Sequence, residues 1–261
     1  MSHEAALNTA GWCRFAYDAQ VAQWVESVYA PAVATTRDPN MISDWLRCGD
    51  TWFAGVNALP NDAKGRVAGG PALGGPVIDL VEALYGPLNV DHAQISVIYP
   101  GYPQPMAGES AAAFRFRRDR DAAHVDGLLP LGPLRRRHLQ EPHSYVLGLP
   151  LTQTSQGASP MVIWEGSHVV MKVAFRSALS DVKPTDWASV DLTDIYQSAR
   201  RQCFEDCRRV VVHALPGEAY LIHRLALHGV AKWEEGADAP PEGRMIAYFR
   251  PELRDISDWL A

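Results

Sequence analysis

Cysteine, basic charge and long apolar runs are all scarce in this chain. Four cysteines among 261 residues do not make a disulfide framework, so reduced thiols and a cytoplasmic location are expected. No stretch approaches the ~18 consecutive apolar residues of a membrane-spanning helix. The opening MSHEAALNTAGW has neither the basic region nor the apolar run of a secretory leader. Lysine and arginine number 24 against 30 acidic residues, a formal net charge of −6. That balance argues against a nucleic-acid binder, which needs a basic face for phosphate. Nor is there an internal repeat or low-complexity tract. A hydrophobic content of 47% excludes wholesale disorder. The partners expected are small molecules, with no nucleic acid and no membrane.

The texture of the chain changes near residue 91. Before it, Trp12 to Tyr29 carries apolar residues at helical spacing, and Pro31 is expected to end that helix. Val77 to Tyr85 reads as a second helix closed by Gly86 and Pro87. Between them PNDAKGRVAGGPALGG reads as a mobile loop. After residue 91 come QISVIYP, FRFR, SYVLGLPL, MVIW, RVVVHA, EAYLIH and RMIAYFR, short β-branched and aromatic runs. One helix, Asp191 to Arg208, interrupts them; Cys203 and Cys207 on it read as buried structural thiols. The expectation is a mainly β jelly roll of about eight short strands with flanking helices. It forms one domain over 1–261, with a helical part over about 1–90 and a β-rich body over about 91–253.

The chemistry concentrates in AAHVDGLLP and AYLIHRLALHGVAKW. On a strand His124 and Asp126, two apart, face the same side and converge on one point. His223 and His228 lie about a hundred residues later, and GRMIAYFRP then places Arg244 and Arg250 on one strand face with Ile246 and Tyr248. Two histidines and a carboxylate form the facial triad of non-haem Fe(II) oxygenases, which leaves three positions open. A 2-oxo acid fills two of them, and an arginine fork suits its distal carboxylate.

The order HVDG, IWEGSH, PGEAYLIHRLALHG, GRMIAYFRP resembles the phytanoyl-CoA dioxygenase-like branch of the Fe(II)/2-oxoglutarate-dependent oxygenases, over about residues 91 to 253. The resemblance implies a double-stranded β-helix and a metal held by His124, Asp126 and His228. It implies that Arg244 anchors 2-oxoglutarate and that Arg250 takes the other carboxylate or closes the site. The loop EEGADAPPEG lengthens the gap before Arg244, so either arginine remains open as the main anchor, and His223 remains a rival distal ligand. The implied activity is hydroxylation of a small molecule with release of succinate and carbon dioxide. A cupin-type metal dioxygenase without 2-oxoglutarate and a non-catalytic binding protein on the same barrel are the alternatives. Asp126 argues against halogenation, which needs a small residue at that ligand position.

Arg115, Arg117, Arg118 and Arg120, with Arg135, Arg136 and Arg137, flank the HVDG segment. They read either as solvated charge beside Asp119, Asp121 and Glu141 or as a lure for an anionic substrate. Trp52, Trp164 and Trp233 are candidate pocket walls, more often core. The Gly/Pro-rich loop near residues 60 to 76 and the segment after Gly127 are placed to form a lid.

Overall fold

A computed structural model describes residues 1–261 as two antiparallel sheets with helices against them, a mixed α/β arrangement. The large sheet has seven strands. Its centre is β7 (Tyr145–Pro150), β10 (Ala219–His223), β12 (Arg244–Phe249) and β4 (Gln94–Ile98). The order is β1 (Trp12–Phe15), β10, β7, β12, β4, β3 (Trp52–Phe53) and β2 (Leu46–Arg47). The small sheet runs β11 (His228–Val230), β8 (Met161–Glu165), β9 (Arg208–Val212). A separate hairpin pairs β5 (Leu128–Leu131) with β6 (Arg136–Leu139). No helix is long and apolar enough to cross a membrane.

Alternation along the central strands sorts their side chains. Leu147, Leu149, Leu221, Met245, Ala247 and Phe249 join one buried cluster with α1 (His3–Ala10), α2 (Ala19–Arg37), α3 (Pro39–Trp45) and α4 (Pro76–Tyr85). Their neighbours Val146, Tyr220, Ile222, Ile246 and Tyr248 pack instead against Met161, Ile163 and Val212 of the small sheet. Period-two alternation thus builds a core on each face of the large sheet. Behind the small sheet, Val162 and Trp164 meet α6 (Ser167–Leu179) and α7 (Thr193–Asp206). Ala123 and Val125 join that third cluster.

Several expectations need correction. Trp12–Phe15 is an edge strand, and the helix starts only at Ala19, where Asp18 caps it by accepting from the N–H groups of Gln20 and Val21. That helix runs through Pro31 to Arg37, because Val25, Val28, Ala32 and Val33 keep one face buried on both sides of the proline. This burial outweighs a proline cost of ~3 kcal/mol. FRFR is not a strand. It lies in α5 (Ala111–Asp119), begun by three alanines and capped by Ser110, whose hydroxyl accepts from Ala113 N–H. The helix α6 and the hairpin β5–β6 were not anticipated. The Gly/Pro-rich stretch is no free flap. Asn61 accepts from Ala93 N–H and donates to the Asp91 carbonyl, while Val67 and Leu73 are buried in the helical core. It borders neither cavity at the histidines.

Gly148 shows how closely the inner layer is fitted. It lies opposite Tyr220 on one neighbour and Tyr248 on the other, and the two hydroxyls meet at 2.8 Å. A Cβ at Gly148 would sit 2.2 Å from the Tyr220 ring. Gly148→Ala is expected to destabilise the protein by about 1–3 kcal/mol. Denaturant unfolding checks this; an unchanged midpoint would mean that the ring yields freely.

Candidate metal centre

The HVDG segment is not a full strand. It touches the small sheet through one antiparallel bridge, in which His124 N–H donates to the His228 carbonyl at 2.8 Å and His228 N–H donates to the His124 carbonyl at 3.0 Å. The backbone is extended enough there to keep alternation. Ala123 and Val125 enter the core behind, and His124 and Asp126 turn the other way, toward His228. The two imidazole centroids are 4.7 Å apart.

Both glycines that follow the ligating types are steric requirements. A Cβ on Gly229 would lie 2.1 Å from the Asp121 carbonyl oxygen, which accepts from Val230 N–H as the chain crosses over β11. Gly127 has φ +82°, and its Cβ would lie 2.0 Å from the Glu141 carbonyl oxygen. HVDG and HG therefore record two close backbone crossings as well as two sets of side chains.

Each histidine is oriented from behind. Nδ1 of His124 is 3.0 Å from the Ala122 carbonyl, and Nδ1 of His228 is 2.9 Å from the Ala226 carbonyl. A carbonyl only accepts, so each Nδ1 carries the proton and each Nε2 offers a lone pair. Those Nε2 atoms lie 3.2 Å (His124 to Oδ1) and 3.6 Å (His228 to Oδ2) from the Asp126 carboxylate. One ligand atom from each of the three residues falls within 4.8 Å of the others. Two imidazoles and a carboxylate at this spacing suit a divalent first-row ion.

Asp126 and His228 are both buried. Burial alone would raise the Asp126 pKa, but the Arg250 guanidinium at 3.6 Å and His228 hold it well below the carboxylate range. Burial would lower His228, yet the charge and hydrogen bonding of Asp126, joined by the Ala226 carbonyl, together outweigh it and leave its pKa raised. The carboxylate is thus held ionised, as a metal ligand must be.

Beside the three groups is a cavity of about 250 Å³. Val146, Met161 and Tyr248 line it from the sheets, and Trp45, Arg47 and Trp52 from the N-terminal part. Trp52 also donates its indole N–H to Ser96 at 3.3 Å. Trp45 and Arg47 escaped the sequence reading, since nothing in that stretch marks a strand pair as a cavity wall. Arg244 opens β12 and is 4% exposed. No carboxylate lies within ion-pair distance of it, and its Nη1 is buried without a partner. Tyr248, Tyr220 and Tyr102 stand around it. On the same strand face, Arg250 reaches Asp126.

The structure keeps other candidates apart from this cluster. His223 lies against His168, centroids 4.9 Å apart. Its Nδ1 accepts from Leu225 N–H. His168 is buried in the first turn of α6 with Nε2 at 3.1 Å from the Asn8 carbonyl. His213 meets the Thr154 carbonyl at 2.9 Å. Trp164 is core, and Trp233 packs beside a small cluster around Tyr102. Cys203 is buried and Cys207 half-buried, and neither is among the grouped ligands.

No family model matches the chain, and no curated protein matches it in sequence. Solved structures do. The non-heme alpha ketoglutarate dependent carbocyclase SnoK from nogalamycin biosynthesis aligns over 99% of this chain and 88% of its own, at 16% identity and a TM-score of 0.51. The two share a fold. AviO1 from Streptomyces viridochromogenes Tue57 aligns over 97% of this chain and 96% of its own at 12% identity, TM-score 0.49. The epimerase SnoN, solved with Fe3+, alpha ketoglutarate and nogalamycin RO, aligns over 95% and 82% at 14% identity, TM-score 0.47.

Two outcomes test this geometry. Asp126→Ala is expected to abolish tight binding of Fe(II) or Mn(II), while His223→Asn leaves it intact; calorimetric titration separates them, and the reverse pattern would make His223 a ligand. His223 also sets a pH dependence, because burial, aided by Arg224, lowers its pKa to about 3. A histidine depressed in the folded state is protonated first in the unfolded chain. Its contribution is present above the ordinary histidine value and drains away as pH falls toward about 3. Between pH 7 and 5 the loss is about 1–2 kcal/mol. Replacing His223 by Asn should flatten that limb in melts recorded across the range.

Proposed function

We propose that the protein is an Fe(II)/2-oxoglutarate-dependent oxygenase that hydroxylates a small molecule. The observation that carries this is a two-histidine, one-carboxylate cluster together with a buried guanidinium, Arg244, that has no anion of its own and stands behind Tyr248, which lines the cavity beside the cluster. A buried charge left unpaired costs several kcal/mol, and a carboxylate ligand would relieve it. A cupin-type dioxygenase working without 2-oxoglutarate would have no use for Arg244 in this state. We take the paired sheets as a double-stranded β-helix, one domain over 1–261, with residues about 91–253 as its catalytic body. The order of motifs is similar to that of the phytanoyl-CoA dioxygenase-like branch, and the shared fold with an alpha ketoglutarate dependent enzyme agrees with the reading.

The residues divide the work. His124, Asp126 and His228 would hold the metal, with Nδ1 of each ring fixed by a backbone carbonyl. Arg244 would take the distal carboxylate of 2-oxoglutarate. Arg250 steadies Asp126 and faces the cavity, where it is placed to meet the second carboxylate. Bound there with dioxygen, iron and 2-oxoglutarate would supply the oxidising equivalent for hydroxylating a C–H bond, with succinate and carbon dioxide as the co-products. Trp45, Trp52, Met161 and Val146 shield that space from water and orient the substrate carbon.

Anaerobic addition of Fe(II) and 2-oxoglutarate should produce a weak visible charge-transfer band. A folded protein that binds Fe(II) and shows no band would refute the cosubstrate assignment. Arg244→Gln should weaken 2-oxoglutarate binding about ten- to a hundredfold with little change in Fe(II) affinity. If Arg250→Gln has that effect and Arg244→Gln does not, Arg250 is the anchor.

A further inference from the structure

The seven arginines around the HVDG segment fall into different kinds. Arg117 pairs with Glu109, Arg118 with Asp119, and Arg136 with Asp191 and Asp194. Arg120 lies over the Phe204 ring. Those four are accounted for within the fold, and Arg115 and Arg135 are exposed to solvent. Arg137, on β6, is half-buried and has no acidic partner; one of its N–H groups donates to the Leu128 carbonyl at 3.0 Å. Burial pulls its pKa down, and the charges of Arg135 and Arg200 push the same way, partly offset by Tyr196. Arg200, on α7, also has no carboxylate within ion-pair distance. It is held by the faces of Phe116 (4.4 Å) and Tyr196 (5.2 Å).

Arg137 and Arg200 border one cavity of about 280 Å³. This is not the space between the sheets lined by Trp45 and Tyr248, but His124, Asp126 and Arg250 border both. The ligand cluster therefore stands where the two spaces meet. Phe116, Val125, Leu128 and Leu129 give the second cavity an apolar side. Its two carboxylates are already engaged, Asp126 with the histidines and Arg250, and Glu141 with His143 at 3.3 Å. Two like-charged guanidiniums share a half-buried cavity in a chain of net charge −6, with no anion to balance them. Such an arrangement stores repulsion that a bound anion would relieve.

We propose that this cavity receives the carboxylate or phosphate group of the substrate on Arg137 and Arg200, so that the enzyme acts on a small, partly apolar organic anion whose carbon skeleton extends toward His124 and Asp126. The inference rests on the oxygenase reading only in taking that anion for the substrate.

The test is calorimetric titration of the full-length protein, metal-free and again with Fe(II) and 2-oxoglutarate under nitrogen. The probes are hexanoate, hexyl phosphate and hexanol. One of the two anions should bind at least about tenfold more tightly than hexanol, and which one wins separates a carboxylate from a phosphate substrate. Arg137→Gln and Arg200→Gln should each cost about tenfold, and Arg200→Lys should recover part of the loss. Arg136→Gln, already satisfied by two aspartates, should change nothing. Should Arg137→Gln fail to fold, Arg200→Gln alone decides. Equal binding of hexanol, or anion binding lost only in Arg244→Gln, would overturn the proposal. The charge-transfer band is recorded on the same samples. A band kept in Arg200→Gln while anion affinity falls supports the assignment. No band in the wild type, with anion affinity still dependent on Arg137 and Arg200, sinks the oxygenase reading and leaves the anion pocket standing.

Discussion

The two hydrogen bonds exchanged between the backbones of His124 and His228 are the constraint on which the site depends. They join segments a hundred residues apart in sequence and fix the register of one histidine against the other. Once that register is set, strand alternation directs His124 and Asp126 to one side and sends Ala123 and Val125 into the core behind. The approach is possible only because Gly229 has no side chain where the Asp121 carbonyl passes. A one-residue slip would turn the imidazole at 228 away and bring a glycine into its place. The site is thus a consequence of backbone pairing first and of side-chain choice second.

Charge is distributed with the same economy. Three of the seven arginines around the HVDG segment, Arg117, Arg118 and Arg136, are matched to aspartates or glutamates, as expected where a fold must hold cations without a ligand. Arg244 is the departure on the large sheet: buried, ringed by tyrosines and unmatched. Arg137 and Arg200 are departures of a milder kind, half-buried and leaning on a carbonyl and two aromatic faces. Groups that the fold leaves unmatched at a cost are better explained by what they bind than by what they stabilise.

Much of this was legible in the sequence, for reasons that differ by element. The strands Gln94–Ile98, Tyr145–Pro150 and Arg244–Phe249 are short runs with turn signals around them, and alternation alone put Arg244, Ile246, Tyr248 and Arg250 on one face. His124, Asp126 and His228 could be singled out because the segment patterns carry both ligand types and the glycines that let the chains cross. Phe114 to Arg117 misled, since a two-residue alternation of Phe and Arg imitates a strand while Ser110 and three alanines had already begun a helix. The persistence of the helix through Pro31 was hidden because it depends on packing against the large sheet. The separation of Arg136 from Arg137 was equally hidden: adjacent in sequence, they point to aspartates on one side and to a cavity on the other, and only the hairpin geometry says which is which.

Trp45 ends a short helix, and Arg47 and Trp52 come from the short strands at one margin of the large sheet, all far from any ligand in sequence. They shape the room above the cluster yet contribute nothing to holding an ion. This wall of the cavity therefore comes from a stretch of the polypeptide that supplies none of the grouped ligands. A change at Trp45 or Arg47 would reshape that wall while leaving the three grouped side chains and the backbone bridge beneath them in place.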